Sequence, residues 1–125
     1  MPRPSAIVTD AELAILEQLW EQGPATVRDI AAGVYRKNTP AYHATVNSLL
    51  EQLEEKRFVN RDRSGFAHRF SAKVDRSALV GRQLQQIADC HFNGALSPML
   101  LALIDNLKLK PRDRSAILKI IQELD

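Results

Sequence analysis

The chain has 125 residues, 45% of them apolar and 26% charged, with a formal net charge of +2; this is ordinary for a globular protein and allows one modest core, or two small ones if a partner helps. No run approaches the roughly 20 apolar residues of a membrane span, Met1-Pro2-Arg3-Pro4 starts no secretory signal, and a lone cysteine, Cys90, excludes an internal disulfide framework. A cytoplasmic protein without membrane insertion is the expectation.

Met1 to Val8 reads as a short arm with two prolines. Thr9-x-x-Glu12 is a capping box, and Leu13, Ile15, Leu16, Leu19 and Trp20 follow with helical periodicity until Gly23-Pro24 stops the helix, so the first helix spans about 10–22 with Trp20 as a core anchor. Thr26-x-x-Asp29 opens a second helix with Val27, Ile30, Ala31 and Val34 as its apolar side, ending near Tyr35. In the third helix Thr39 is the cap and Pro40 takes the first helical position, where its missing N–H costs nothing. Val46, Leu49, Leu50 and Leu53 form its apolar stripe together with Tyr42, while Ala41, Ala44, Thr45, Ser48, Glu51 and Gln52 point the other way and His43 and Asn47 lie on the flank. Three short helices with tight connectors, the third presenting small and hydrogen-bonding side chains, match a helix-turn-helix with a DNA recognition helix.

Next, Phe58-Val59-Asn60-Arg61-Asp62-Arg63 and Phe66-Ala67-His68-Arg69-Phe70-Ser71 flank Ser64-Gly65, which reads as a two-residue hairpin turn. Alternation groups Phe66, His68 and Phe70 on one face. A lone hairpin is marginal in water, so the phenylalanines are expected on the helical core, with His68 partly buried and Arg61, Arg63 and Arg69 outside within reach of phosphates. This completes a winged helix over residues 1–74. The charge distribution agrees: residues 36–73 hold eight basic and four acidic groups, net +4, whereas residues 1–35 hold two basic and five acidic, net −3.

From residue 75 onward strand signals stop and three helices follow: about 76–92 with Asp75 as cap, a second started by Ser97-Pro98, and a third opened by Pro111. The 97–107 segment has almost no polar face, and about fifty residues cannot wrap such a helix alone, whereas a second copy can. The fold class is therefore mainly α with a small β-hairpin, an N-terminal winged helix-turn-helix followed by a three-helix dimerisation domain over 75–125. Leu84, Ile87, Met99, Leu100, Leu103, Ile104, Leu107, Ile117 and Ile121 are its interface candidates. The competing arrangement folds these helices back onto the winged helix as one monomeric core.

No enzyme is expected. His43, His68 and His91 are scattered, the adjacent Cys90 and His91 point about 100° apart on a helix, and metal-ligand spacings, glycine-rich phosphate loops and nucleophile elbows are missing, so no cofactor and no metal are assigned. Recognition of double-stranded DNA needs only contacts. Asn47 can pair with adenine, Thr45 and Ser48 can bond bases or phosphates, Ala44 can abut a thymine methyl, Gln52 completes the outward face, and His43 adds a phosphate contact, which together favour an A/T-containing half-site. The alternative is a winged-helix protein-interaction module without sequence-specific DNA binding, favoured by Glu51 and the near-neutral total charge.

Several stretches resemble the penicillinase and methicillin-resistance repressors (BlaI/MecI-like). Thr9 to Leu16 with Leu19-Trp20 looks like the family's first helix, Ala41 to Leu50 with Leu53 and Lys56 like its recognition helix, Phe58 to Phe70 like its wing, and Asn93-Gly94 with the following apolar run like its dimerisation region. The resemblance, over about residues 5–124, implies a homodimeric repressor on palindromic promoter DNA, relieved in well-known members by cleavage by a membrane sensor-peptidase. The chain departs from the family in three places. Gln52 stands where a basic residue is frequent, Arg57 where glycine is frequent, and Leu100-Leu101-Ala102-Leu103 where the penicillinase repressors carry a scissile Asn-Phe pair, so the peptidase partner is not matched.

Overall fold

The structure is a computed structural model and describes residues 5–124. It divides into two compact units, one ending at Val80 and one beginning at Gly81. The first contains α1 (Asp10–Gln22), β1 (Ala25–Thr26), α2 (Val27–Val34), α3 (Pro40–Glu55), β2 (Val59–Asp62) and β3 (Arg69–Ala72). The helix starts follow from their capping chemistry. Thr9 Oγ1 accepts from the Glu12 N–H at 3.1 Å while Glu12 Oε1 accepts from the Thr9 N–H at 2.8 Å, and Thr26 and Asp29 repeat this reciprocal cap on α2. Thr39 caps α3, with Pro40 in its first turn. Gly23 ends α1 at φ +84°, a left-handed backbone available to glycine without steric cost.

The end of α3 also explains a departure from the family pattern. Arg57 has φ +66°; its N–H bonds to the Glu54 carbonyl and that of Phe58 to the Leu53 carbonyl. These two bonds make a Schellman motif, whose left-handed residue is most often glycine. Leu53 and Phe58, both fully buried, supply the apolar contact that accompanies such a cap.

The sheet differs from the expected hairpin. It has three antiparallel strands in the order β1-β3-β2, with Ala25 opposite Phe70, Arg61 opposite Phe70 on the other side, and Asp62 opposite Arg69. The strand β1 is only two residues long and was not expected, because it is too short to show alternation. The two-residue turn is corrected as well: residues 63–68 form a longer loop between β2 and β3. Phe66 consequently leaves the alternation of β3 and is wholly exposed instead of lying on the core, and His68 is exposed instead of partly buried.

The core joins all these elements: Ile15, Leu16 and Leu19 of α1, Ile30 and Ala31 of α2, Val46, Leu50 and Leu53 of α3, and Phe58, Val59 and Phe70 of the ribbon. Trp20 anchors its edge as expected, donating from Nε1 to the Val74 carbonyl at 2.7 Å. A buried ion pair ties the end of α3 to the start of α1. Lys56 Nζ donates to both carboxylate oxygens of the fully buried Glu12, at 2.7 and 2.9 Å, and to the Ile7 carbonyl at 3.0 Å.

The helix α4 (Arg76–His91) starts with Asp75 Oδ1 accepting from the Ala78 N–H at 2.7 Å. Its first turn belongs with the first unit, since Leu79 lies in that core, and the two compact units meet at Val80 and Gly81 within the helix. The second unit continues α4 and adds α5 (Leu96–Asn106) and α6 (Pro111–Glu123), which pack on each other. Neither α5 nor α6 contains a buried residue. Among the described residues, no single helix is long and apolar enough to cross a membrane.

Candidate nucleic-acid interface

The helix α3 buries one stripe and exposes the other. Val46, Leu50 and Leu53 are sealed in the core with Tyr42 and Leu49 packed beside them, which leaves Ala44, Thr45, Asn47, Ser48 and Gln52 exposed on the opposite side. This is the outward face expected from the periodicity. Two of its members are conditioned by neighbours. The Thr45 hydroxyl donates to the Ala41 carbonyl at 3.1 Å, so its oxygen faces a partner as an acceptor. His43 is half-buried with Nε2 at 3.1 Å from Asn38 Oδ1.

Beside this face opens a cleft of about 520 Å³ lined by Thr26, Val27 and Arg28 at the start of α2, His43 and Asn47 of α3, and Arg61, Phe66, His68 and Phe70 of the ribbon and its loop. Helix, ribbon and the first turn of α2 thus present one continuous surface. Arg28 is exposed there. Its place in the first turn of the helix that, in a helix-turn-helix, crosses the DNA backbone is the sequence signal for it, one that lies outside the third helix.

The three wing arginines are not equivalent. Arg63 and Arg69 are exposed. Arg61, expected outside with them, is turned inward: its guanidinium bonds Glu54 of α3 and stacks 4.7 Å from the centroid of Phe70. The register is the reason. Cross-strand partners share a face, and Arg61 stands opposite Phe70, whose ring fills the core. Among the described residues Arg61 Nε is also the one buried side-chain polar atom without a partner. The ribbon is therefore pinned to α3 by one arginine and presents two others. Glu54, at the end of α3, is the carboxylate this arginine neutralises.

The wing loop is organised by Asp62. Its Oδ1 accepts the Ser64 N–H at 2.9 Å. Hydrogen bonds from the Ser64 side chain and then its backbone, assisted by the charges of Arg69 and His68, hold the Asp62 carboxyl below its ordinary value of 3.8. The carboxylate most exposed on the wing is thus turned onto its own loop.

Comparison with known proteins decides the family. The penicillinase repressor family model matches residues 8–123. The chain belongs to the penicillinase repressor family. Its relatives include the penicillinase repressor of Bacillus licheniformis, 20% identical over 116 residues, covering 93% of this chain and 90% of the relative. They also include the transcriptional regulator BlaI of Mycobacterium tuberculosis, 27% identical over 118 residues, covering 93% and 83%. These are transcriptional regulators and not enzymes, and the family's role is repression. Among the described residues no group of three or more His, Cys, Asp or Glu side chains is placed to hold a metal ion.

The interface candidates of the second unit divide by exposure. Leu84, Ile87, Leu103 and Leu107 are exposed, whereas Met99, Leu100, Ile104, Ile117 and Ile121 are half-buried. Leu101, Leu118, Ile120 and Leu124 are exposed too and were not singled out. An all-round apolar segment such as 96–107 gives periodicity no means to choose a face.

Proposed function

We propose that the protein is a homodimeric winged-helix repressor that binds palindromic promoter DNA. In this reading α3 enters the major groove, with Asn47, Ser48, Thr45, Ala44 and Gln52 toward base edges of an A/T-containing half-site. Arg63, Arg69 and Arg28 meet phosphates on either side. Arg61 acts as a positioning residue. The observation that carries the reading is the exposure of the polar face of α3 beside a cleft that the start of α2 and the wing loop also line, with Arg63 and Arg69 exposed on the wing. A helix about 10–12 Å across with its side chains fits a major groove about 12 Å wide.

The dimer is supported by the unburied apolar side chains of the second unit: two helices that bury nothing completely need a covering, and symmetric pairing supplies one. Cleavage by a sensor-peptidase is not part of the proposal, because the segment that would carry the scissile pair is Leu100-Leu101-Ala102-Leu103 in the middle of α5.

Fluorescence anisotropy of the full chain on a duplex from its own promoter and on a scrambled duplex, between about 50 and 200 mM salt, tests this. Preference for the promoter with a steep fall in affinity as salt rises is expected. Lack of binding at the lowest salt, or affinity indifferent to salt, leaves the protein-interaction module as the function.

A further inference from the structure

The most exposed large apolar side chain of the first unit is Phe66, whose ring touches no core residue although the ribbon beneath it is ordered. It stands in the middle of the loop between β2 and β3, between Gly65 and Ala67, the smallest of neighbours. Arg63, His68 and Arg69, all exposed, lie within three residues of it along the chain. An aromatic ring at a protein tip, wholly in water, gains free energy once a partner covers it. Because the flanking side chains are so short, the ring can enter a recess only a few ångströms wide. The surrounding charge restricts the partner to a polyanion.

Resting on the DNA-binding reading above, we propose that Phe66 is an apolar wedge that the wing places in the minor groove beside the half-site read by α3. The minor groove is about 6 Å wide, narrow enough to exclude bulky neighbours yet wide enough for a ring entering edge-first, and apolar side chains that press between base steps there are a known mode of DNA deformation. The loop is built to present the ring. Asp62 holds the Ser64 N–H, which fixes the entry to the loop. Arg61 binds Glu54 and Phe70, which fixes the ribbon against α3. With the ribbon seated on α3, insertion of that helix in the major groove carries the loop to the adjoining groove. Phe66 would then favour flexible or A/T-rich steps flanking the half-site, a preference arising from deformability and not from hydrogen bonds.

The test is anisotropy of the full chain on a promoter duplex, in a salt series, for the native protein, Phe66→Ala and Arg63→Ala, each repeated with the duplex pre-loaded with netropsin, a minor-groove ligand. Phe66→Ala is expected to weaken binding about tenfold or more with an unchanged salt slope, whereas Arg63→Ala flattens the slope by about one unit. Netropsin is expected to weaken the native protein and to leave Phe66→Ala nearly unaffected. Since Phe66 buries nothing, the variant should melt at the native temperature, and circular dichroism checks this. Native protein that binds while Phe66→Ala binds within twofold of it overturns the wedge. So does equal sensitivity of both to netropsin, and so does loss of self-association in Phe66→Ala by sedimentation, which would make the ring a protein contact. Failure of the native protein itself to bind at low salt sinks the underlying DNA-binding reading instead.

Discussion

Lys56 shows how a residue that looks ionic and peripheral in the sequence becomes structural. Counted with the basic groups of residues 36–73, it reads as a phosphate candidate; in the fold its ammonium is spent on Glu12 and the Ile7 carbonyl. Removing one partner of a buried pair leaves the other charge without solvent or counterion, which costs far more than the pair contributes net. Lys56→Met should therefore lower the unfolding free energy of the full chain by about 3–5 kcal/mol, measured by urea denaturation followed by circular dichroism. The double change Glu12→Gln with Lys56→Met keeps a hydrogen-bonding group at the α1 cap and removes the stranded charge. It should be clearly more stable than the single variant; a double variant no better than Lys56→Met alone would place the loss in packing.

Among the elements, the ribbon separates what alternation can and cannot tell. The helix starts were legible because Thr9, Thr26, Thr39 and Asp75 each cap through one local hydrogen bond, chemistry written within four residues. The strand ends were not, because a loop of six residues reads the same from sequence as a two-residue turn with longer strands. That ambiguity misplaced Phe66 and His68, which fall in the loop; Arg61 shares the Phe70 face in either register, because the two turns differ by an even shift, and was set outside on its charge alone. It also makes a testable division among the arginines. Arg69→Ala should flatten the salt slope of DNA binding by about one unit without affecting stability. Arg61→Ala should leave the slope near native while lowering the melting temperature, since it frees the ribbon from Glu54 and Phe70. Equal slope changes would return Arg61 to the phosphates. The loop has its own signature in acid. Asp62 titrates below 3.8 because Ser64 bonds its charged form, so the contribution of these hydrogen bonds is fully present above that value and is lost as pH falls through the lower folded one. Titration of the Asp62 carboxyl carbon by NMR should give a midpoint below 3.8 in the native protein and a smaller depression in Ser64→Ala, which keeps the backbone N–H bond but loses the hydroxyl.

For the whole molecule, the decisive quantity is the apolar surface that a single chain leaves open. Among the described residues of the second unit Ala88 alone is buried, while Leu107 is 55% exposed and Leu101, Leu118, Ile120 and Leu124 are also open to water. The need for a covering was legible in the sequence because Leu96–Asn106 has scarcely any polar face, although which of its sides would be covered was not. In the proposed dimer, two recognition helices on one duplex would bind with far greater effective affinity than either alone. Charges placed on the open side chains should undo the pairing without unfolding the protomer, since those positions support no interior in the single chain. Leu101→Glu with Leu107→Glu should keep the native helical content by circular dichroism, sediment near 14.0 kDa where the native protein sediments near twice that mass, and bind a palindromic duplex no better than a single half-site. Native protein sedimenting at 14.0 kDa at low micromolar concentration would remove the dimer, and with it the reason for a palindromic operator.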